Sequence, residues 1–304
     1  TRGIYEQVYA AVQKGKPLSE GFMEFENTFG SFFINMIKAG EYAGKLENAL
    51  HSLHYQIKKD YSLRSKVIGA LTYPAFVIGA IFVIGSAMMV YVIPRLIPIF
   101  ADFHSQLPLA TRILIGVSNF AAAYFLWIIL SLLLIGFSLF KLTRGPWKKG
   151  WHTVLLHLPL VGNLVRNVNI TRTTRTLATL LGTDILVVDA LNITAKIIGN
   201  RVFQDILIKS AEQVKRGVSI ATTLKPYPKL FPPTVYTMIM VGEESGRLAE
   251  LLEEVAQFYE EAVDETTKSI SSIIEPVLIV LLGAVIGGIA VAILTPMYSL
   301  MQAV

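Results

Sequence analysis

Gly242-Glu243-Glu244-Ser245-Gly246-Arg247-Leu248 decides the reading of this chain, because the same pattern stands earlier as Gly40-Glu41-Tyr42-Ala43-Gly44-Lys45-Leu46. The two stretches are 202 residues apart (242 − 40), and the register continues without a gap on both sides. Gly15 falls on Gly217, Phe29 on Phe231, Leu50 on Leu252, Lys66 on Lys268, Pro74 on Pro276 and Pro94 on Pro296. A fixed register over about 90 residues is an internal duplication. The period is far too long for a solenoid, so one domain is used twice. In both copies the Gly-Glu turn precedes a polar helix that runs into an apolar stretch near a proline.

A hydrophobic fraction of 53% is high for a soluble protein. Three uncharged stretches are long enough to span a bilayer as helices: Val67 to Ile93, Ile113 to Phe140, and Val277 to Leu294 just after Glu275-Pro276. Buried core helices of a large soluble protein are the alternative, but uncharged runs of this length are rare there. The first run is too far from the start, with the wrong flanks, for a signal peptide. The absence of cysteine excludes disulfides, thiolate metal sites and cysteine nucleophiles. The expected fold is all-α: a polytopic membrane protein with two duplicated cytoplasmic helical bundles and three transmembrane helices. Its segments are a first cytoplasmic domain (1–66), a span (67–93), a short external loop (94–112), a second span (113–140), a linker (141–166), a second cytoplasmic domain (167–269), a third span (270–295) and an external tail (296–304).

Basic residues set the expected orientation. Of the 27 lysines and arginines, 9 lie in 1–66 and 16 in 141–269, which leaves only Arg95 and Arg112 between the first two spans. The positive-inside rule then places both large polar segments in the cytoplasm, and the short loop and C-terminus outside. Topology, together with anionic lipid at the inner face, accounts for the net charge of +5 without nucleic acid.

Local signals fill in the bundles. Residues 4–14 read as an amphipathic helix ended by Gly15, and Pro17 with Ser19 opens a short second one. Ser31 is expected to cap a helix over 32–39 that stops at Gly40. From Lys45 onward Leu46, Leu50, Leu53 and Ile57 recur at helical spacing, which predicts one long helix entering the membrane with a kink near Pro74. Pro94 and Pro98 should break it at the outer surface. Trp147 and Trp151 sit where interfacial anchors are expected, and 155–164 reads as a linker. The second domain reads as helices over 169–181, up to Gly199 and over about 201–216, with Thr183 or Asp184 capping the second of these. The first copy then has four helices against six. With Thr1 in place of an initiator methionine, this leads to the expectation that the sequence is a fragment truncated at its start.

No nucleotide-binding loop, zinc-protease helix or nucleophile elbow is present. His51 and His54 share a helix face; a metal site and an exposed polar face compete for them, so metal binding is left undecided. No cofactor is implied. In the turn, Gly40 and Gly242 are expected to end a helix in the left-handed conformation, with Gly44 and Gly246 completing the motif. Glu41 and Glu243 should favour the start of the following helix, and Leu46 and Leu248 should pack inward. The turn also suits a docking or signalling surface. At the membrane entries stand Tyr73-Pro74 and Glu275-Pro276; Glu275 is either solvated at the interface or turned to a partner helix or groove. Gly283 and Gly287, four apart, suit close helix packing, for instance across a dimer.

These features together resemble one family: the duplicated helical domain, the glycine-glutamate turn, Tyr73-Pro74 and Glu275-Pro276, and three spans. It is the inner-membrane platform protein of type II secretion and type IV pilus assembly. The resemblance covers nearly the whole chain and is most specific at Arg175-Thr176-Leu177-Ala178-Thr179-Leu180-Leu181 and at Val241 to Leu248 with Glu275-Pro276. Asp184 departs from it, standing where a small residue is usual. The resemblance implies a non-enzymatic protein in the bacterial inner membrane. Its implied partners are a cytoplasmic assembly ATPase, pilin or pseudopilin, other machine components and further copies of itself. A small transporter fits less well, because transporter repeats usually hold several spans around a midplane site. A membrane scaffold or signalling protein with other partners is the remaining alternative.

Overall fold

The computed structural model describes residues 2–95, 109–144, 148–158 and 161–301. Most of the predicted external loop, Pro98, Trp147 and residues 302–304 lie outside the described residues. Secondary structure among the described residues is helical throughout. The chain divides into a polar unit, residues 1–67 with 146–267, and an apolar unit, residues 68–145 with 268–304.

In the polar unit the first copy supplies α1 (Arg2–Gln13), α2 (Leu18–Met23), α3 (Glu26–Phe29), α4 (Ser31–Tyr42) and the start of α5 (Leu46–Ala87). With α6 (Leu109–Arg144) belonging to the apolar unit, the rest of the polar unit comprises α7 (Lys148–His157), α8 (Val161–Leu181), α9 (Val187–Ile197), α10 (Arg201–Val214), α11 (Ile220–Leu224), α12 (Pro233–Ser245) and the start of α13 (Leu248–Met301). Shifted by 202, α1, α2, α4 and α5 fall on α10, α11, α12 and α13, so the duplication read in the sequence is a duplication of helices.

The two copies do not stand as separate bundles. Phe203 and Phe231, with ring centroids 5.2 Å apart, centre the main core, and Met36 and Leu53 of the first copy belong to that core. A smaller core of Val8, Phe22, Ile34 and Ile37 lies within the first copy, where Phe22, Phe29 and Phe33 pack ring against ring. The two long helices run parallel and nearly in the register of the repeat, as the contacts Tyr55–Glu253, Lys59–Glu260 and Lys66–Asp264 show.

Several local expectations are corrected. The N-cap of α4 is Gly30, and Ser31 is already helical. Neither Thr183 nor Asp184 caps α9, whose N-cap is Leu186. Thr183 instead turns its hydroxyl back onto the Leu180 carbonyl, and Asp184 takes the left-handed conformation (φ 63°) that closes α8. That conformation is easiest for a residue without a side chain, and among the described residues Asp184 is the non-glycine that adopts it. The segment 155–164 is not a simple linker: it holds the end of α7 and the start of α8. There Gly162 passes so close to the Leu156 carbonyl that a Cβ would stand 2.4 Å from its oxygen.

In the apolar unit α5 continues through Pro74, which does not end it, into a π turn at Met88–Val92 and on to Arg95, where the described residues of this helix stop. The Ser118 hydroxyl of α6 donates to the Met89 carbonyl at 2.6 Å, satisfying an acceptor in the π turn. Helix α6 is interrupted at Tyr124 (φ −110°, ψ 15°), whose ring lies 4.9 Å from that of Phe120. Helix α13 runs through Pro276 and Pro296 to Met301, so the expected tail at 296–304 is helical as far as 301. The Ser271 hydroxyl reaches the Ala70 carbonyl at 3.5 Å, which keeps α5 and α13 side by side here too. Three helices carry windows long and apolar enough to cross a membrane, and those windows are almost wholly exposed, as lipid-facing surface is.

Candidate functional site

The two Gly-Glu turns are built alike, and the geometry assigns each residue of the pattern a task. The left-handed residues are the second glycines, Gly44 (φ 66°) and Gly246 (φ 71°), not Gly40 and Gly242 as the sequence led one to expect. The first glycines lie inside α4 and α12 one turn before the end. Their carbonyls accept the N–H groups of Lys45 at 2.8 Å and Arg247 at 3.1 Å, the six-residue closure of a glycine C-cap. They are glycines because the next helix begins against them. A Cβ on Gly242 would stand 2.9 Å from the Leu248 Cα, and one on Gly40 would stand 2.5 Å from the Ala49 Cβ. Leu46 and Leu248, each half-buried, begin α5 and α13 and pack against the smaller and main cores respectively.

The glutamates do not cap the helix that follows them. Glu243 reaches back to α11, where its carboxylate accepts the N–H of Ile220 at 2.6 Å and of Ala221 at 3.1 Å. Glu41 does the same at α2, accepting from Leu18 and, at 2.9 Å, from Ser19. The expected attraction between a carboxylate and a helix N-terminus holds, but for a helix 22 and 23 residues earlier in the chain. Each turn is therefore a three-way junction that ties a short helix, the helix before the turn and the long helix after it. Between the structural residues, Tyr42, Ala43, Lys45, Glu244, Ser245 and Arg247 are exposed. Because α5 and α13 are parallel, both turns lie at the same end of the polar unit. Leu46 is about 30 Å along α5 from Lys66.

A second constellation joins the copies. Arg175 of α8 is buried and donates through a terminal guanidinium nitrogen to Glu260 of α13 at 2.7 Å. Glu260 also takes Lys59 at 3.0 Å and lies 3.5 Å from Lys66, which in turn bonds Asp264 at 2.7 Å. Burial pushes the Glu260 carboxyl up, but the hydrogen bond from Lys59 and the positive charges of Arg175 and Lys59 outweigh it, so its pKa lies below the usual value. Tyr55 has a raised pKa, through burial first and then the charge and hydrogen bond of Glu253. Glu260 and Asp264 of α13 thus turn inward to the first copy. Sequence reading missed this group, although a signal exists: Glu260 sits between Ala256 and Val263 at helical spacing, beside the apolar stripe.

The remaining candidates are not brought together with these. In the apolar unit Tyr73 is exposed and Pro74 buried, while Glu275 and Pro276 are exposed on α13. Gly283 and Gly287 have open space where a Cβ would stand. His51 and His54 are exposed, and among the described residues no group of three or more histidines or carboxylates is placed to hold a metal.

An all-helical chain with three membrane-length apolar helices and a duplicated polar bundle defines a polytopic membrane protein built on an internal repeat. The comparisons make it more particular. The family profile of protein F of the type II secretion system matches residues 2–94 and 173–296, one region for each copy. The chain is 34% identical over 298 residues to the type IV pilus assembly protein PilC of Myxococcus xanthus, covering 98% of this chain and 71% of that protein. It is 35% identical to PilC of Thermus thermophilus (98% and 74% covered) and 34% identical to the type II secretion system protein F of Pseudomonas aeruginosa (98% and 73%). The chain therefore belongs to the protein F/PilC family of inner-membrane platform proteins, which are structural components of type IV pilus and type II secretion machinery and not enzymes. Membership sets aside the transporter and general scaffold readings.

Proposed function

We propose that this platform protein couples a cytoplasmic assembly ATPase to the extraction and polymerisation of pilin or pseudopilin, and that the ATPase docks on the end of the polar unit that carries both Gly-Glu turns. The pairing of those turns is the observation that carries the reading. Two copies of one rigid junction present their exposed residues at one end, each at the head of a helix that continues into an apolar stretch. A rigid turn is a good contact point because little ordering entropy is lost on binding. The polar unit is cytoplasmic in this reading, which the concentration of 25 of the 27 basic residues around it supports.

Pilin or pseudopilin meets the membrane part, where Glu275 and Tyr73 stand exposed near the entries and Gly283 with Gly287 leaves room for a close helix. A homo-oligomer matching a symmetric ATPase completes the assembly.

The test uses the full chain in its native membrane. Charge reversal at the exposed positions, Glu244→Lys with Arg247→Glu, is expected to abolish co-purification of the ATPase and assembly of the pilus or pseudopilus. The protein level should stay normal. Unchanged co-purification and assembly in this variant would remove the ATPase from the turn face.

A further inference from the structure

Helices α5 and α8 meet along two antiparallel stripes. Gln56, Asp60 and Arg64 stand four residues apart on α5, and Arg172 and Thr176 stand four apart on α8, so each set shares one helix face. Gln56 donates to the Thr176 hydroxyl at 3.2 Å, and one turn further along α5 Asp60 stands 2.7 Å from the Arg172 Nε. The next position of α8 in that register is Val168, so no carboxylate faces Arg64 from this helix. The five polar residues line a cavity of about 490 Å³, whose wall also includes Phe32, Ile57, Tyr61 and Ile197.

Donors outnumber acceptors around this cavity. Two guanidinium groups, each a fork of N–H donors, stand against the single carboxylate of Asp60, which leaves one net positive charge. Asp60 attracts Arg172, but the buried Arg172 Nε–H is not aligned with that carboxylate and has no hydrogen-bond partner. Arg64 is exposed and makes neither an ion pair nor a hydrogen bond among the described residues. The buried Thr176 hydroxyl accepts from Gln56 and, unlike those of Thr171, Thr173, Thr174 and Thr179, donates to no carbonyl of its own helix. A donor-rich, positive cavity with aromatic and aliphatic walls fits a phosphate ester. Guanidinium forks match phosphate oxygens two at a time, and the apolar wall receives the organic part of the ester.

We propose that this cavity binds a phosphate ester, held by the Arg64 and Arg172 guanidiniums and the Thr176 hydroxyl, with Asp60 as the competing acceptor for Arg172. Arg64 belongs to the first copy and Arg172 to the second, so a bound phosphate ties the two copies together. Arg64 also stands three residues before Val67, where the uncharged stretch of α5 begins. That is about 5 Å along the helix, within reach of the phosphate of a membrane lipid. A soluble phosphate ester offers the same chemistry. The inference does not rest on the docking of the ATPase.

The test is calorimetric titration of the purified, delipidated full chain in detergent with two probes, glycerol 3-phosphate as the soluble ester and dioctanoyl phosphatidylglycerol as the lipid. At least one is expected to bind. Binding of glycerol 3-phosphate makes a soluble ester sufficient, and binding of the lipid alone assigns the site to a headgroup; either result supports the proposal. Arg64→Gln, at an exposed position, should weaken binding about tenfold through the loss of one charged donor group. Asp60→Asn removes the competing charge and should tighten binding, an effect that damage to the fold would not produce. Binding of neither probe overturns the proposal, as does binding that Arg64→Gln leaves unchanged or that Asp60→Asn fails to tighten.

Discussion

Glu243 holds the backbone N–H of Ile220 at 2.6 Å, so the glutamate of the Gly-Glu turn closes the start of a helix that lies before its own. Glu41 repeats the clasp at α2. Replacing either by alanine leaves two backbone donors without their charged acceptor and is expected to cost about 2 kcal/mol. Glutamine, which keeps an acceptor oxygen, should cost about half as much. The two sites belong to different copies, so the double variant should be additive within about 0.5 kcal/mol. Denaturant midpoints of the purified protein in detergent check all three.

Gly242 and Gly246 separate two uses of glycine four residues apart. Gly246→Asn is expected to be tolerated within about 1 kcal/mol, since asparagine adopts the left-handed conformation readily. Gly242→Asn puts a side chain where Leu248 already stands and should cost about 3 kcal/mol or prevent folding. Equal effects of the two substitutions on the thermal midpoint would contradict these assignments.

Glu260→Gln leaves the buried Arg175 without its carboxylate, and a loss of about 3 kcal/mol is expected. The same residue gives a pH dependence of known sign. Its folded pKa lies below the ordinary value of 4.5, so its contribution is complete above pH 4.5 and is lost as pH falls through the lowered value. The wild-type protein should lose stability across that acid window. The Glu260→Gln protein, weaker at neutral pH, should show a shallower acid limb in pH-dependent unfolding.

Ser118→Ala removes the donor that satisfies the Met89 carbonyl in the π turn. In an apolar setting the freed carbonyl has no water to turn to, and a loss of about 1 kcal/mol is expected. Ser118→Thr, which keeps the hydroxyl, should recover most of it if the added methyl fits.

Much of the fold could be read in the sequence because its signals are local. A repeat at 202 residues and uncharged runs of membrane length are each visible in the order of residues and were found again in the helices, and Gly15 and Gly217 follow the ends of α1 and α10 with positive φ. What went astray had its cause at long range. Which of two glycines takes the left-handed conformation depends on where Leu248 packs, and the partner of Glu243 is a helix more than twenty residues away. Asp184 was read as a cap because cap residues are judged by type, whereas its backbone is decided by the closure of α8.

By itself the sequence determined that this is a duplicated, all-helical chain with three apolar helices, and its motifs were enough to point to the family. Periodicity, length and charge act through neighbours along the chain or through the solvent, so they leave their mark in the order of residues. Only the tertiary structure decided that the two copies share one core, that Glu41 and Glu243 clasp earlier helices, and that Arg175, Glu260 and Lys59 meet between them. Those contacts join residues up to about two hundred positions apart. Each depends on which faces the packed helices turn to one another, a choice made by the burial of the whole core and not by any local pattern.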